Sequence, residues 1–172
     1  MDSVISSLKA NQSQALDELF EFLRIPSVSA DSQFRPQMQK CADFVLKAMQ
    51  AAGLTAEIIA TKGHPIVYGE RIEDASRPTI LIYGHYDVQP PDPLDLWTTA
   101  PFEPQIRDGK VFARGATDDK GQVFTHLKSI QAWVDVNGKL PVNVKFLIEG
   151  EEEVGSDSLA DFLEDHKEKL SN

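Results

Sequence analysis

One cysteine, Cys41, stands in the 172 residues, so no internal disulfide can form, which suits a reducing compartment. No apolar run approaches the roughly 18 residues of a membrane span. The start, MDSVISSLKANQ, lacks the basic-then-apolar order of a secretory signal. A cytoplasmic location is therefore expected, and the Asn11-Gln12-Ser13 sequon is expected to carry no meaning. Positive charge is also scarce: 17 Lys and Arg against 27 Asp and Glu give a net charge of −10. That balance argues against binding to a nucleic-acid backbone, which needs a basic face. Internal repeats, low-complexity tracts and Gly/Ser linkers are lacking too, so nothing marks a domain boundary. What is present, 41% hydrophobic and 26% charged residues, is ordinary for a folded chain. Small molecules and metal cations are the partners that such an acidic protein favours.

Apolar periodicity predicts a helix through Leu16, Leu19, Phe20 and Leu23, stopped by Pro26, and a second from about Pro36 to Ala52, closed by Gly53. Cys41 lies on the second helix's apolar stripe with Met38, Ala42, Val45, Ala48 and Met49, and reads as a small core residue. Short strands are expected at Leu54–Ala60, Pro65–Gly69 and Pro78–Tyr83. The run Thr79 to Tyr83, apolar at successive positions, predicts a central strand covered on both faces. A proline-rich stretch from Pro90 to Pro104 precedes a hairpin pairing Gln105–Arg107 with Lys110–Ala113 across Asp108-Gly109. A helix opening at Asp118 or Asp119 should run to Gly138, with His126 near its apolar side. A strand from Val142 to Ile148 follows, and Ser156 is expected to cap a last helix that turns Leu159, Phe162 and Leu163 inward. This order predicts an α/β class with three layers, α/β/α, around a mixed sheet. Ligands of such sheets bind beyond the carboxyl ends of the strands.

Three polar clusters fall at such places. In Gly84-His85-Tyr86-Asp87-Val88, alternation along the chain puts His85 and Asp87 on one side. They could form a packed pair, or an Asp could fix the His tautomer and free its other nitrogen for a metal. In Ala113-Arg-Gly-Ala-Thr-Asp-Asp-Lys-Gly121 the lysine comes one residue too early for a phosphate loop. Its two aspartates suit either the dipole of a helix start or a divalent cation. Glu149-Gly-Glu-Glu-Glu-Val-Gly-Ser156 places four mutually repelling carboxylates directly after a core strand, as a solvated turn or a cation site. Imidazole with carboxylates is zinc-type ligation, and a bridging carboxylate suits a pair of ions. No HExxH helix or Gly-x-Ser-x-Gly elbow competes. His64, His126 and His166 have no comparable context.

The ordered set GHYDVQP at 84–90, ARGATDDKG at 113–121 and EGEEEVGS at 149–156 resembles the dinuclear zinc peptidase family of carnosinase, cytosolic non-specific dipeptidase, carboxypeptidase G, aminoacylase and acetylornithine deacetylase. The stretch DPLDLWTTAPFEPQIRDGK at 92–110 looks most like the dipeptidase branch. The resemblance implies a zinc-exopeptidase-like catalytic domain and two Zn²⁺, or Mn²⁺ or Co²⁺, per complete site. It implies His85 and Glu153 as metal ligands, Asp118 as the bridging ligand, Asp87 as the residue orienting His85, and Glu152 as general base. Asp118–Asp119 would be a cis peptide, with Glu149 and Glu151 as supporting charge. The expected reaction is two-metal hydrolysis of dipeptides or short peptides, in family members that are homodimers.

That family also uses a further carboxylate, a second histidine and a smaller lid and dimerisation domain, all from later in the chain. Residues 1–172 are therefore expected to form the N-terminal part of the catalytic domain, with little activity alone. Two other outcomes are an amidohydrolase of N-acyl amino acids and an inactive piece that binds or dimerises.

Overall fold

The computed structural model describes residues 1–171. Its helices are α1 (Asp2–Ala10), α2 (Gln12–Leu23), α3 (Arg35–Ala51), α4 (Lys120–Asn137), α5 (Leu159–Asp165) and α6 (Lys167–Leu170). Its strands are β1 (Thr55–Ile59), β2 (Ile66–Arg71), β3 (Thr79–His85), β4 (Gln105–Arg107), β5 (Lys110–Phe112) and β6 (Asn143–Glu149). The helix expected through Leu16 and Leu23 is α2, and α1 precedes it across Asn11, whose backbone is not helical. Helix α3 matches its expected span and buries Met38, Cys41, Ala42, Val45 and Met49 as one stripe. Cys41 donates weakly to the Tyr86 carbonyl at 3.5 Å, and burial pushes its thiol up against the opposing charge of Lys120. It is a core residue, as its place on the stripe suggested.

Four strands form a mixed sheet in the order β1-β2-β6-β3, with β1, β2 and β6 antiparallel and β3 parallel to β6. One face carries the main core. Val144, Phe146 and Ile148 of β6 pack there with Phe22, the α3 stripe and Val123, Phe124 and Leu127 of α4. The other face is thinner, built on Ile66, Leu147 and Phe162. Its cover is completed by α6, where Lys145 donates to the Lys169 carbonyl at 2.8 Å and Tyr68 donates to the same oxygen at 3.1 Å. Helices thus cover both faces of the sheet, as the alternating strand and helix signals imply.

Four expectations are corrected. The doubly covered strand is β6, in which every residue is buried, whereas β3 lies at an edge of the described sheet. Ile80, Leu81 and Tyr83 remain 49%, 48% and 50% exposed, so the apolar run reports strand character but not lateral position. Ser156 does not cap α5: it has φ 55°, and its hydroxyl donates to Glu149 Oε1 at 2.8 Å. Ser158 flanks the helix instead, and α5 turns Phe162 inward while Leu163 stays exposed. His126 is likewise exposed rather than on the buried side of α4. The hairpin β4–β5 stands as expected, with positive φ at both Asp108 and Gly109, the conformation a two-residue hairpin turn requires. Among the described residues no helix is long and apolar enough to cross a membrane.

Candidate metal centre

Parallel pairing of β3 with β6 sets His85 opposite Glu149, so the two strands end at the same level of the sheet. Beyond that end the chain leaves β3 through Tyr86, Asp87 and Val88, and leaves β6 through the turn carrying Glu151, Glu152 and Glu153. The loop that precedes α4 delivers Asp118 and Asp119 to the same place, joined by a cis peptide. Gly84 allows this meeting. A Cβ there would lie 2.6 Å from both Asp119 Oδ2 and Val123 Cγ2, so only glycine lets α4 approach so closely.

His85 is 5% exposed and Asp87 fully buried. The imidazole Nδ1 lies 3.1 Å from the Asp87 carbonyl oxygen and 3.3 Å from Asp87 Oδ1. Two acceptors on that side assign the proton to Nδ1. The other nitrogen, Nε2, lies 3.0 Å from Asp118 Oδ1 and 3.9 Å from Glu152 Oε2. In a neutral ring with Nδ1 protonated, that lone pair would confront carboxylate oxygens, so a proton or another cation belongs between them. With no metal, burial disfavours the imidazolium, but the hydrogen bond and charge of Asp87, together with Asp119 and Asp118, raise its pKa to about 9.

The second carboxylate oxygen of Asp87 accepts the Glu153 N–H at 3.1 Å, tying the ends of β3 and β6 together. Apart from the imidazole, Asp87 Oδ1 has no polar partner among the described residues. Glu153 accepts from Gln89 Nε2 at 2.7 Å. Ligand atoms of His85, Glu152 and Glu153 lie within 4.8 Å of one another. Burial raises the Glu152 carboxyl; His85 opposes this, whereas Glu153, Asp87 and Asp118 add to it. Asp119 is raised too, by burial against the opposing effects of the His85 N–H and ring charge. One imidazole nitrogen facing carboxylates that are partly open to solvent is a donor set suited to a borderline-hard divalent ion.

All five residues singled out from the motifs, His85, Asp87, Asp118, Glu152 and Glu153, converge here. Several neighbours escaped sequence reasoning. Gln89, which holds Glu153, does not stand out in its motif, and Asp119, one of the two aspartates singled out, accepts the His85 backbone N–H at 3.2 Å, a contact that its motif does not announce. Glu149 is buried and accepts from Tyr83 at 2.5 Å as well as from Ser156, so it supports the turn rather than facing the cluster as free charge. Glu151 is also buried and accepts the Ser158 N–H at 3.3 Å.

The chain is 35% identical over 180 residues to the Cys-Gly metallodipeptidase dug1 of Schizosaccharomyces pombe, covering 98% of this chain and 38% of that protein. Its fold superposes on human carnosine dipeptidase 1 with a TM-score of 0.91 at 31% identity, over 98% of this chain and 38% of the other. On the M20 family metallo-carboxypeptidase Sso-CP2 of Sulfolobus solfataricus the TM-score is 0.84 at 42% identity, over 91% and 35%. The chain thus spans less than two fifths of the length of these relatives. The model of Peptidase family M20/M25/M40 matches residues 81–172, the segment that carries His85, both aspartates of the α4 loop and the glutamate turn. The chain belongs to that peptidase family.

Proposed function

We propose that this centre, in the complete protein, hydrolyses the amide bond of dipeptides or short peptides with two divalent ions, zinc or, in its place, manganese or cobalt. The observation that carries the reading is His85 Nε2, turned by Asp87 toward Asp118 and Glu152. His85 and Glu153 would each hold one ion, and Asp118 would be shared between the two. Bound ions would supply Lewis-acid polarisation of the scissile carbonyl and acidification of the attacking water. Glu152 would accept that water's proton on its carboxylate and pass it to the leaving amine. Asp87 would keep the His85 proton on Nδ1, leaving Nε2 free to ligate.

The relatives named as dipeptidases and as a carboxypeptidase support small peptides as the substrate class. Three protein ligands do not complete two ions. We infer that a further carboxylate and histidine complete the centre, that residues 1–172 form the first part of the catalytic domain, and that this chain alone hydrolyses little. The test is Glu152→Gln in a chain extended to the length of its relatives. Dipeptide turnover should fall by about 10²–10⁴-fold with metal content unchanged. Unchanged turnover would remove Glu152 from the role of base.

A further inference from the structure

Lys120 is a lysine with no exposed surface, two residues after Asp118. Burial opposes its charge, while Cys41 and the Asp87 carboxylate favour it, but among the described residues its ammonium hydrogen-bonds to no carboxylate of the centre. It donates instead to the carbonyl oxygens of Phe22 at 3.2 Å and Ile25 at 2.6 Å, at the C-terminal end of α2, with Nζ 5.1 Å from the centroid of the Phe22 ring. Those carbonyls lie at the negative end of the helix, where a cation is favoured.

The loop bearing Asp118 and Asp119 wraps the stem of this lysine. A Cβ on Gly115 would stand 3.3 Å from Lys120 Cδ, and the Gly121 N–H donates to the Gly115 carbonyl at 3.2 Å. Gly121 is equally confined, since a Cβ there would stand 2.0 Å from the Ala116 oxygen.

The segment that receives Lys120 also fastens the other half of the centre. Ser27 Oγ donates to the Tyr86 carbonyl at 2.7 Å, and the Val88 N–H donates to the Ser27 carbonyl at 2.9 Å. These bonds bracket Asp87, so residues 25–28 touch both the His85–Asp87 end and, through Lys120, the Asp118–Asp119 turn.

We propose that Lys120 is a positioning residue, whose buried ammonium locks the Asp118–Asp119 turn onto the 25–28 segment and so fixes the spacing between His85 and the two aspartates. The consequence for metal binding rests on the function proposed above; the positioning itself does not. The two separate in the metal-free protein, because the His85 N–H donates to Asp119 Oδ2.

The experiment compares the 172-residue chain with Lys120→Met, which keeps length and apolar bulk but removes the donors. Nitrogen–proton NMR follows the His85 amide, and Co²⁺ titration follows the centre. The His85 amide should shift and exchange with solvent at least about tenfold faster, while the amides of β6 keep their protection. Co²⁺ affinity should fall about 10- to 100-fold. Lys120→Arg, which retains a cation and donors, should recover part of both. An unchanged His85 amide in Lys120→Met overturns the proposal, and so does equal loss of protection throughout β6. If Lys120→Met does not fold, Lys120→Gln takes its place; failure of both to fold also overturns it, because the ammonium would then serve the whole core. Absence of Co²⁺ binding by a chain extended to the length of its relatives overturns the metal reading alone, and the amide result on the 172-residue chain still decides the positioning.

Discussion

Asp87 Oδ1 lies 3.3 Å from His85 Nδ1, while the other oxygen of the same buried carboxylate accepts the Glu153 N–H. One side chain therefore orients the imidazole and spaces it from the glutamate turn. Asp87→Asn keeps the size but replaces one oxygen by a donor, which cannot accept from Nδ1 and from Glu153 together. Metal affinity should fall by about 10- to 100-fold with the far-ultraviolet dichroism unchanged. Isothermal titration with Zn²⁺ checks this; wild-type affinity in Asp87→Asn would make the pair a packing feature only.

The same pair fixes a pH dependence in the metal-free protein. Burial opposes charge on His85, but Asp87, Asp119 and Asp118 outweigh it and lift its pKa from 6.5 to about 9. A group raised in the folded state contributes its full stability below the unfolded value and loses it as pH rises through the folded one. The melting temperature of chelator-treated protein should therefore drop between pH 6.5 and 9 relative to His85→Asn. Parallel melting curves for the two proteins across that window would contradict the coupling.

Gly84 is the point at which α4 and the loop before it meet the end of β3. Gly84→Ala places a methyl 2.6 Å from Asp119 Oδ2 and from Val123 Cγ2. A cost of about 1–3 kcal/mol is expected from overpacking. Denaturant unfolding measures it, and a loss below about 0.5 kcal/mol would mean that the contact relaxes freely.

Strand β3 presents exposed Ile80, Leu81 and Tyr83 at an edge of the described sheet. An unprotected apolar edge favours strand-to-strand association. Light scattering of the 172-residue chain should report concentration-dependent oligomers, and Leu81→Lys should shift it toward monomer. A monomer at all concentrations would show that this edge does not pair.

Much of this was legible in the sequence because the relevant signals are local. Apolar spacing located α3 and α4, the Asp108-Gly109 pair located the hairpin, and the three polar motifs supplied the five residues that converge. The rest depends on distant contacts. The apolar run of β3 carries no record of which strand lies beside it, so its edge position was invisible. Ser156 has the right residue type for a helix cap, but a tertiary bond to Glu149 claims its hydroxyl. Lys120 stands out in the sequence only as a lysine misplaced for a phosphate loop, and its burial against the end of α2 is a tertiary contact.

The central claim is that His85, Asp118 and Glu153 form a cation site with Glu152 beside it. Its most direct test is Co²⁺ binding by a chain extended to the length of its relatives, followed by absorption and by elemental analysis after dialysis. We expect binding that is abolished in His85→Ala, Asp118→Ala and Glu153→Gln and retained in Glu152→Gln. Absence of binding by the wild-type chain, or equal binding by wild type and His85→Ala, would contradict the account.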